Sequence, residues 1–271
     1  MSPRHRPWEE AADFQIGLRP IPLADWLEGG EADPAARKDP LFERVRDLVW
    51  AETPGSQAGQ AEAAAMVEAA LGPAPAQRGL PALYAAARRV PDDLCLMEKR
   101  DGQWRLAALS LSAGGFFTAA EAIGKSLEEL HGPVTGFGER FLVRVQRVFE
   151  GLRPELVLER RNWTVLNSAD LHTPSSAPIR AQIPDIDPRE AGRVLCLRVE
   201  RQTLRRLPQT GGALFTIRVW LAPLSDLAAD PERLAAFANA WRAATPDLRA
   251  YKRFDLYDDL VEAFLRDPQP A

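Results

Sequence analysis

The sequence predicts an α+β protein built on an antiparallel sheet with helices on one face. Two pairs of strand-like runs carry the prediction. DLCLMEK is followed by QWRLAALSLS across the turn RDG, and GRVLCLRVERQTL by GALFTIRVWLAPL across RRLPQTGG. Runs joined by such short turns pair antiparallel. Segments of helical period lie between and around them, so the middle of the chain reads β-β-α-α-β-β-β, the order of an α+β layout.

The elements follow in order. FQIGLRPIPLADWLEG, rich in proline, reads as an extended arm whose Phe14, Ile16, Leu18, Ile21, Leu23 and Trp26 lie along a larger body. LFERVRDLVWAE has helical spacing, with Leu41, Val45, Leu48 and Val49 on one face. A second helix covers 57–71 and is stopped by Gly72 and Pro73; a third, short one lies around 80–89. After the first hairpin, TAAEAIGKSLEELH and GERFLVRVQRVFEGL return to helix. ELVLERRNWTVL is a strand, and a Pro/Ser-rich loop, long for a compact domain, runs from about 168 to 190. ADPERLAAFANAWRAA and RFDLYDDLVEAFLRD close the chain as helices. The expected organisation is an arm and helical segment over 1–90, packed on a core over 91–271 as one unit.

The 271 residues can bury a sizeable core, and 46% are hydrophobic. The formal net charge of −4 supplies no basic field for nucleic acid or an anionic membrane. With Cys95 and Cys196 as the only cysteines, a zinc site of CxxC pairs and a disulfide framework are not expected. MSPRHRPWEE has no apolar core of a secretory signal, and no run of some 18 apolar residues suggests a membrane span, so the expected compartment is the cytoplasm.

Strand alternation concentrates polar chemistry on the last two strands. In VLCLRVERQ one face carries Cys196, Arg198, Glu200 and Gln202. In LFTIRVW one face carries Leu214, Thr216, Arg218 and Trp220. Pairing of the two would set Arg198, Glu200 and Arg218 on a shared face. Such a face is either solvated and laced with cross-strand ion pairs, or a polar cluster in a ligand cavity. In the cavity case glutamate handles a proton and arginine holds a carboxylate. The stretch LHGPV raises a second question. His131 sits at a helix end before Gly132 and Pro133, where a histidine serves as cap, core residue or ligand, and residue type alone leaves the three open. His5 lies in the terminus and His172 in the long loop.

Several of these pieces occur together and in a fixed order. They are FQIGLRPIPLADWLE, PDDLCLMEK, IGKSLEELHGPV, RRNW, LRVERQTLRRLPQTGGALFTIRVWLAPL and the pair Tyr251-Lys252. In this the chain resembles the haem-dependent oxidative N-demethylase family over about residues 14–265. The resemblance implies a PAS-like haem-binding subunit. It would demethylate a small secondary amine with dioxygen, giving the primary amine and formaldehyde. NADPH would supply the electrons through flavin and iron–sulfur centres on separate reductase subunits.

The family's IHxPVP-like element reads LHGPVT here, which makes His131 the axial haem-ligand candidate, with Cys95 and Cys196 as thiolate alternatives. Glu200 would accept a proton from the amine or pair with it. Arg198, Arg201 and Arg206 would hold haem propionates or Glu200, although alternation sets Arg198 and Arg201 on opposite strand faces. A haem-binding PAS-like sensor or carrier, or an interaction module that has lost haem, are the other functions such a chain could serve. Two departures bear on the substrate: the family's Pro-Ser-x-Trp segment is replaced by SAGGFFTAAEA, and the last proline of PVP is Thr135.

Overall fold

The computed structural model describes residues 6–9, 17–75, 77–132 and 142–270. Its strands are β1 (Arg19–Ile21), β2 (Trp50–Glu52), β3 (Asp93–Arg100), β4 (Gln103–Ser110), β5 (Val157–Leu166), β6 (Cys196–Arg206) and β7 (Ala213–Pro223). They form one antiparallel sheet in the order β1-β5-β6-β7-β3-β4-β2. The five longer strands, β5-β6-β7-β3-β4, make a PAS-like ladder, and β1 and β2 extend its two edges.

The turns show why these residues pair as they do. Arg100 pairs with Gln103 across Asp101 and Gly102, which take φ of 49° and 77°. Two positive φ values in a two-residue loop match the twist of the flanking strands, and Asp-Gly is the dipeptide that tolerates them best. The β6–β7 connection is tied by Leu207 N–H to the Gly212 carbonyl at 2.9 Å. It is clasped by Glu62, whose carboxylate accepts from the backbone of Gln209 and Thr210 and from the Thr210 hydroxyl.

The chain divides into two compact units. The larger comprises Gly17–Arg160 and Arg201–Arg218. In it β3 is buried on both faces. Leu94 and Leu96 join a cluster with Trp26, Leu83, Ala107 and Leu214, while Cys95 and Met97 join one with Leu106, Leu109, Leu127, Phe149 and Leu204. The expected helices on one face are thus corrected to helices against both. The helices Gln57–Leu71 and Ala82–Ala87 cover one face, and Leu127–Leu130 and Leu142–Gly151 the other. The cause is the run LCLM, apolar at both parities of the strand period.

Two further expectations change. Trp50, Ala51 and Glu52 leave the helix predicted for LFERVRDLVWAE and pair with β4 as an edge strand. The helix predicted for TAAEAIGKSLEELH breaks into Ala119–Ala122 and Leu127–Leu130. Gly124, at φ 77°, turns the chain so that its N–H reaches the Leu106 carbonyl, while Leu106 N–H reaches Lys125. Each short helix opens with its own capping box, Thr118 with Glu121 and Ser126 with Glu129.

The other unit comprises Met1–Ile16, Arg161–Glu200 and Val219–Ala271. Its core is aromatic: Trp163 packs with Phe237, Trp241 and Phe254, and Trp241 stacks on Phe254 with centroids 4.0 Å apart. Each such pair adds about 1 kcal/mol beyond the area it buries. Trp163 comes from β5, Phe237 and Trp241 from the helix Pro231–Ala243, and Phe254 from the single turn Phe254–Leu256 that follows the helix Pro246–Lys252.

Candidate functional site

His131 caps the helix Leu127–Leu130 at its C-terminal end. The helix is anchored by Ser126 at its start and by buried Leu127, so the histidine leaves a fixed scaffold. Its Nδ1 lies 2.7 Å from the Leu127 carbonyl oxygen. A carbonyl only accepts, so the proton sits on Nδ1 and the imidazole lone pair on Nε2. Burial lowers the imidazole pKa; the Leu127 bond opposes this, and the Arg160 charge adds to the lowering. Together they favour neutral imidazole. Pro133, Val134 and Thr135 of the LHGPVT element lie outside the described residues, as does His5. His172 has both ring nitrogens buried. Burial raises the thiol pKa of Cys95 and of Cys196, which keeps both thiols protonated.

Arg198 and Glu200 form an ion pair, Nε to Oε1 at 3.0 Å, and their side chains are only 5% and 18% exposed. This is not the wet strand face that composition alone allows. Glu200 Oε2 is 3.5 Å from the Asn162 amide nitrogen on β5. The Asn162 carbonyl oxygen in turn accepts from Lys252 Nζ at 2.7 Å. Lys252 also donates to the Trp163 carbonyl and stands 5.2 Å from the Trp163 ring centroid. Residues separated by 38 and 90 positions thus meet in one polar chain. Asn162 and Lys252 were not among the site residues expected from sequence. Their only sequence signal was membership of the RRNW strand and the Tyr251-Lys252 pair.

The remaining candidates lie in the larger unit. Arg201 is buried, with partners at all three guanidinium nitrogens: Glu159 at Nε, the Trp26 carbonyl at 2.8 Å and the Asp25 carbonyl at 2.5 Å. It ties the N-terminal arm to the sheet, and Arg19 meets the other oxygen of Glu159 at 3.0 Å. Arg206 is half-buried, donates to the Phe149 carbonyl at 3.3 Å and stands over the Trp104 ring. Arg218 is 3.6 Å from Glu31.

Sequence reading also passed over Asp92, which is fully buried, with neither carboxylate oxygen hydrogen-bonded among the described residues. Burial pushes its pKa up to about 6, against the pull of Arg218 and Lys38. Buried Lys38 donates to the Ala87 and Asp92 carbonyls at 2.8 and 2.6 Å.

An antiparallel PAS-like sheet with flanking helices defines the class of fold. The chain belongs to the haem-dependent oxidative N-demethylase alpha subunit-like family, whose model matches residues 37–262. The family's name indicates haem dependence and likeness to an alpha subunit, which implies partner subunits. No helix of the described residues is long and apolar enough to cross a membrane.

Proposed function

We propose that this chain is the haem-binding, amine-oxidising subunit of an oxidative N-demethylase in the cytoplasm. It removes a methyl group from a small secondary amine. The balance is one amine N-methyl group, one dioxygen, two electrons and two protons in; one N–H, one formaldehyde and one water out. NADPH is the electron source, through flavin and iron–sulfur centres on separate reductase subunits.

The observation that carries the reading is the state of His131 in a member of this family. A neutral imidazole with its proton held on Nδ1 by a backbone carbonyl is the tautomer that ligates iron through Nε2. The residues present therefore fit the group that the family name implies. Haem, when bound, supplies the redox chemistry that oxidises the N-methyl group.

The chain's own side chains do the rest. His131, oriented by the Leu127 carbonyl, would hold the haem iron. Arg206 is the stronger propionate candidate, because Arg201 is filled by protein partners. Glu200 pairs with the substrate ammonium and accepts its proton, and Arg198 holds Glu200 in place.

The test is formaldehyde release from a secondary amine by the haem-loaded protein with a surrogate reductase, dioxygen and NADPH. Release that depends on amine and on His131 supports the reading. Haem binding without formaldehyde from any amine overturns it in favour of a sensor or carrier.

A further inference from the structure

We infer that Lys252 is a positioning residue of the Glu200 site, acting through Asn162 to set where the Glu200 carboxylate meets the amine. The inference rests on the reading of Glu200 as the amine-side carboxylate.

Chemistry settles which way Asn162 faces. A lysine ammonium only donates and a carboxylate only accepts. The Asn162 oxygen must therefore face Lys252, at 2.7 Å, and its amide nitrogen must face Glu200, at 3.5 Å. The amide dipole is aligned between a cation and an anion, and reversing it would break both contacts.

Lys252 is itself held on more than one side. It donates to the Trp163 backbone carbonyl and lies against the Trp163 indole. It is the last residue of the helix Pro246–Lys252, and Arg253 then takes a left-handed φ of 54°. That turn sends Phe254 into the aromatic core, where it stacks on Trp241. The ammonium is thus fixed by the packing of the C-terminal helices rather than by a mobile surface stem. Glu200 is held on its other oxygen by Arg198. With Arg198 on one oxygen and Asn162 toward the second, the carboxylate has little rotational freedom left, and the amine meets it in one orientation.

The experiment is a double-mutant cycle on the haem-loaded protein. Amine affinity is measured calorimetrically with dimethylammonium and N-methylbutylammonium, and KM and kcat by formaldehyde release. Lys252→Met is expected to weaken amine binding and raise KM about tenfold, with a smaller change in kcat, and Lys252→Arg to restore most of the loss. In a Glu200→Gln background Lys252→Met is expected to add less than about twofold, because the carboxylate it positions is gone. Asn162→Ala cuts the same connection while leaving the Trp163 contacts of Lys252, and serves if Lys252→Met fails to fold.

Wild-type affinity in both Lys252→Met and Asn162→Ala, beside a damaged Glu200→Gln, overturns the positioning role alone. The same holds if the effects of Lys252→Met and Glu200→Gln are additive. Wild-type affinity in Glu200→Gln, or no binding of either amine by the parent protein, overturns the Glu200 reading and the positioning role with it.

Discussion

His131 Nδ1 stands 2.7 Å from the carbonyl oxygen of Leu127, one helical turn behind it on a helix of only four residues. The bond that closes the helix end also fixes the tautomer that the proposed iron ligand would need. The cap and ligand readings of a helix-end histidine are therefore not rivals at this position.

The first prediction follows from that bond. Haemin added to the apo-protein should give a saturable, shifted Soret band near one equivalent. His131→Ala should abolish or strongly alter the band, and His5→Ala and His172→Ala should leave it as it is. An unchanged spectrum in the His131 variant sinks the ligand assignment.

Glu200→Gln keeps the shape of the side chain and removes its charge. It should leave the Soret band and the fold nearly intact and lower formaldehyde release by about 10²-fold or more, the scale of a lost acid–base group. A residue without such a role would show activity like the parent and a stability change within about 0.5 kcal/mol.

The segment GGFFTAAEAIGK should change which amine is preferred. Asp93 pins its start, accepting from the Ser112 N–H at 2.6 Å and the Ala113 N–H at 2.9 Å. Gly114 is packed closely: a Cβ there would lie 2.8 Å from Leu111 Cγ. Phe116 takes a φ of 67°, rare for a bulky side chain, and both Phe116 and Phe117 are exposed. If two phenylalanines stand where the resemblance places a tryptophan segment, a larger or less basic amine should be preferred to dimethylamine. A panel of secondary and tertiary amines, scored by haem spectral shift and formaldehyde release, checks this, and dimethylamine turning over best would refute it.

Asp92 predicts a pH dependence of stability. Its folded pKa, about 6, lies above the ordinary 3.8. The folded state therefore binds more protons between those values, so its contribution is fully present below 3.8 and is lost as pH rises through about 6. Lys38 shifts the other way, from 10.5 to about 8. Its penalty is full below 8 and is relieved as pH rises through 10.5. Asp92→Asn should flatten the slope of stability between pH 4 and 6 relative to the parent. Urea unfolding at several pH values measures this. An unchanged midpoint difference across that range would count against a titrating Asp92.

Much of the fold was legible because it is local. Asp101-Gly102 can take the two positive φ values that a tight hairpin demands, so the β3–β4 pairing shows in a dipeptide. The stop at Gly72, at φ 87°, was equally local. The break at Gly124 was not. AAEAIGKSLEEL has a helical period throughout, and what divides it is pairing of the Gly124 and Lys125 backbone with Leu106 on β4, a partner nearly twenty residues away. Trp50–Glu52 changed from helix to strand for the same reason.

By itself, then, the sequence determined the α+β class, both hairpins, the family and the residue types available for chemistry, with His131 at a helix end and Arg198 and Glu200 at one strand parity. Only the tertiary structure decided what those residues do with one another. It filled Arg201 with Glu159 and the arm carbonyls, left the Asp92 carboxylate buried without a hydrogen bond among the described residues, and set Asn162 between Glu200 and Lys252. Period and turn chemistry act over a few residues and leave their mark on neighbouring letters. The partner of a buried polar group is chosen by whichever distant segment the packed core brings within about 3 Å, and no local pattern records that choice.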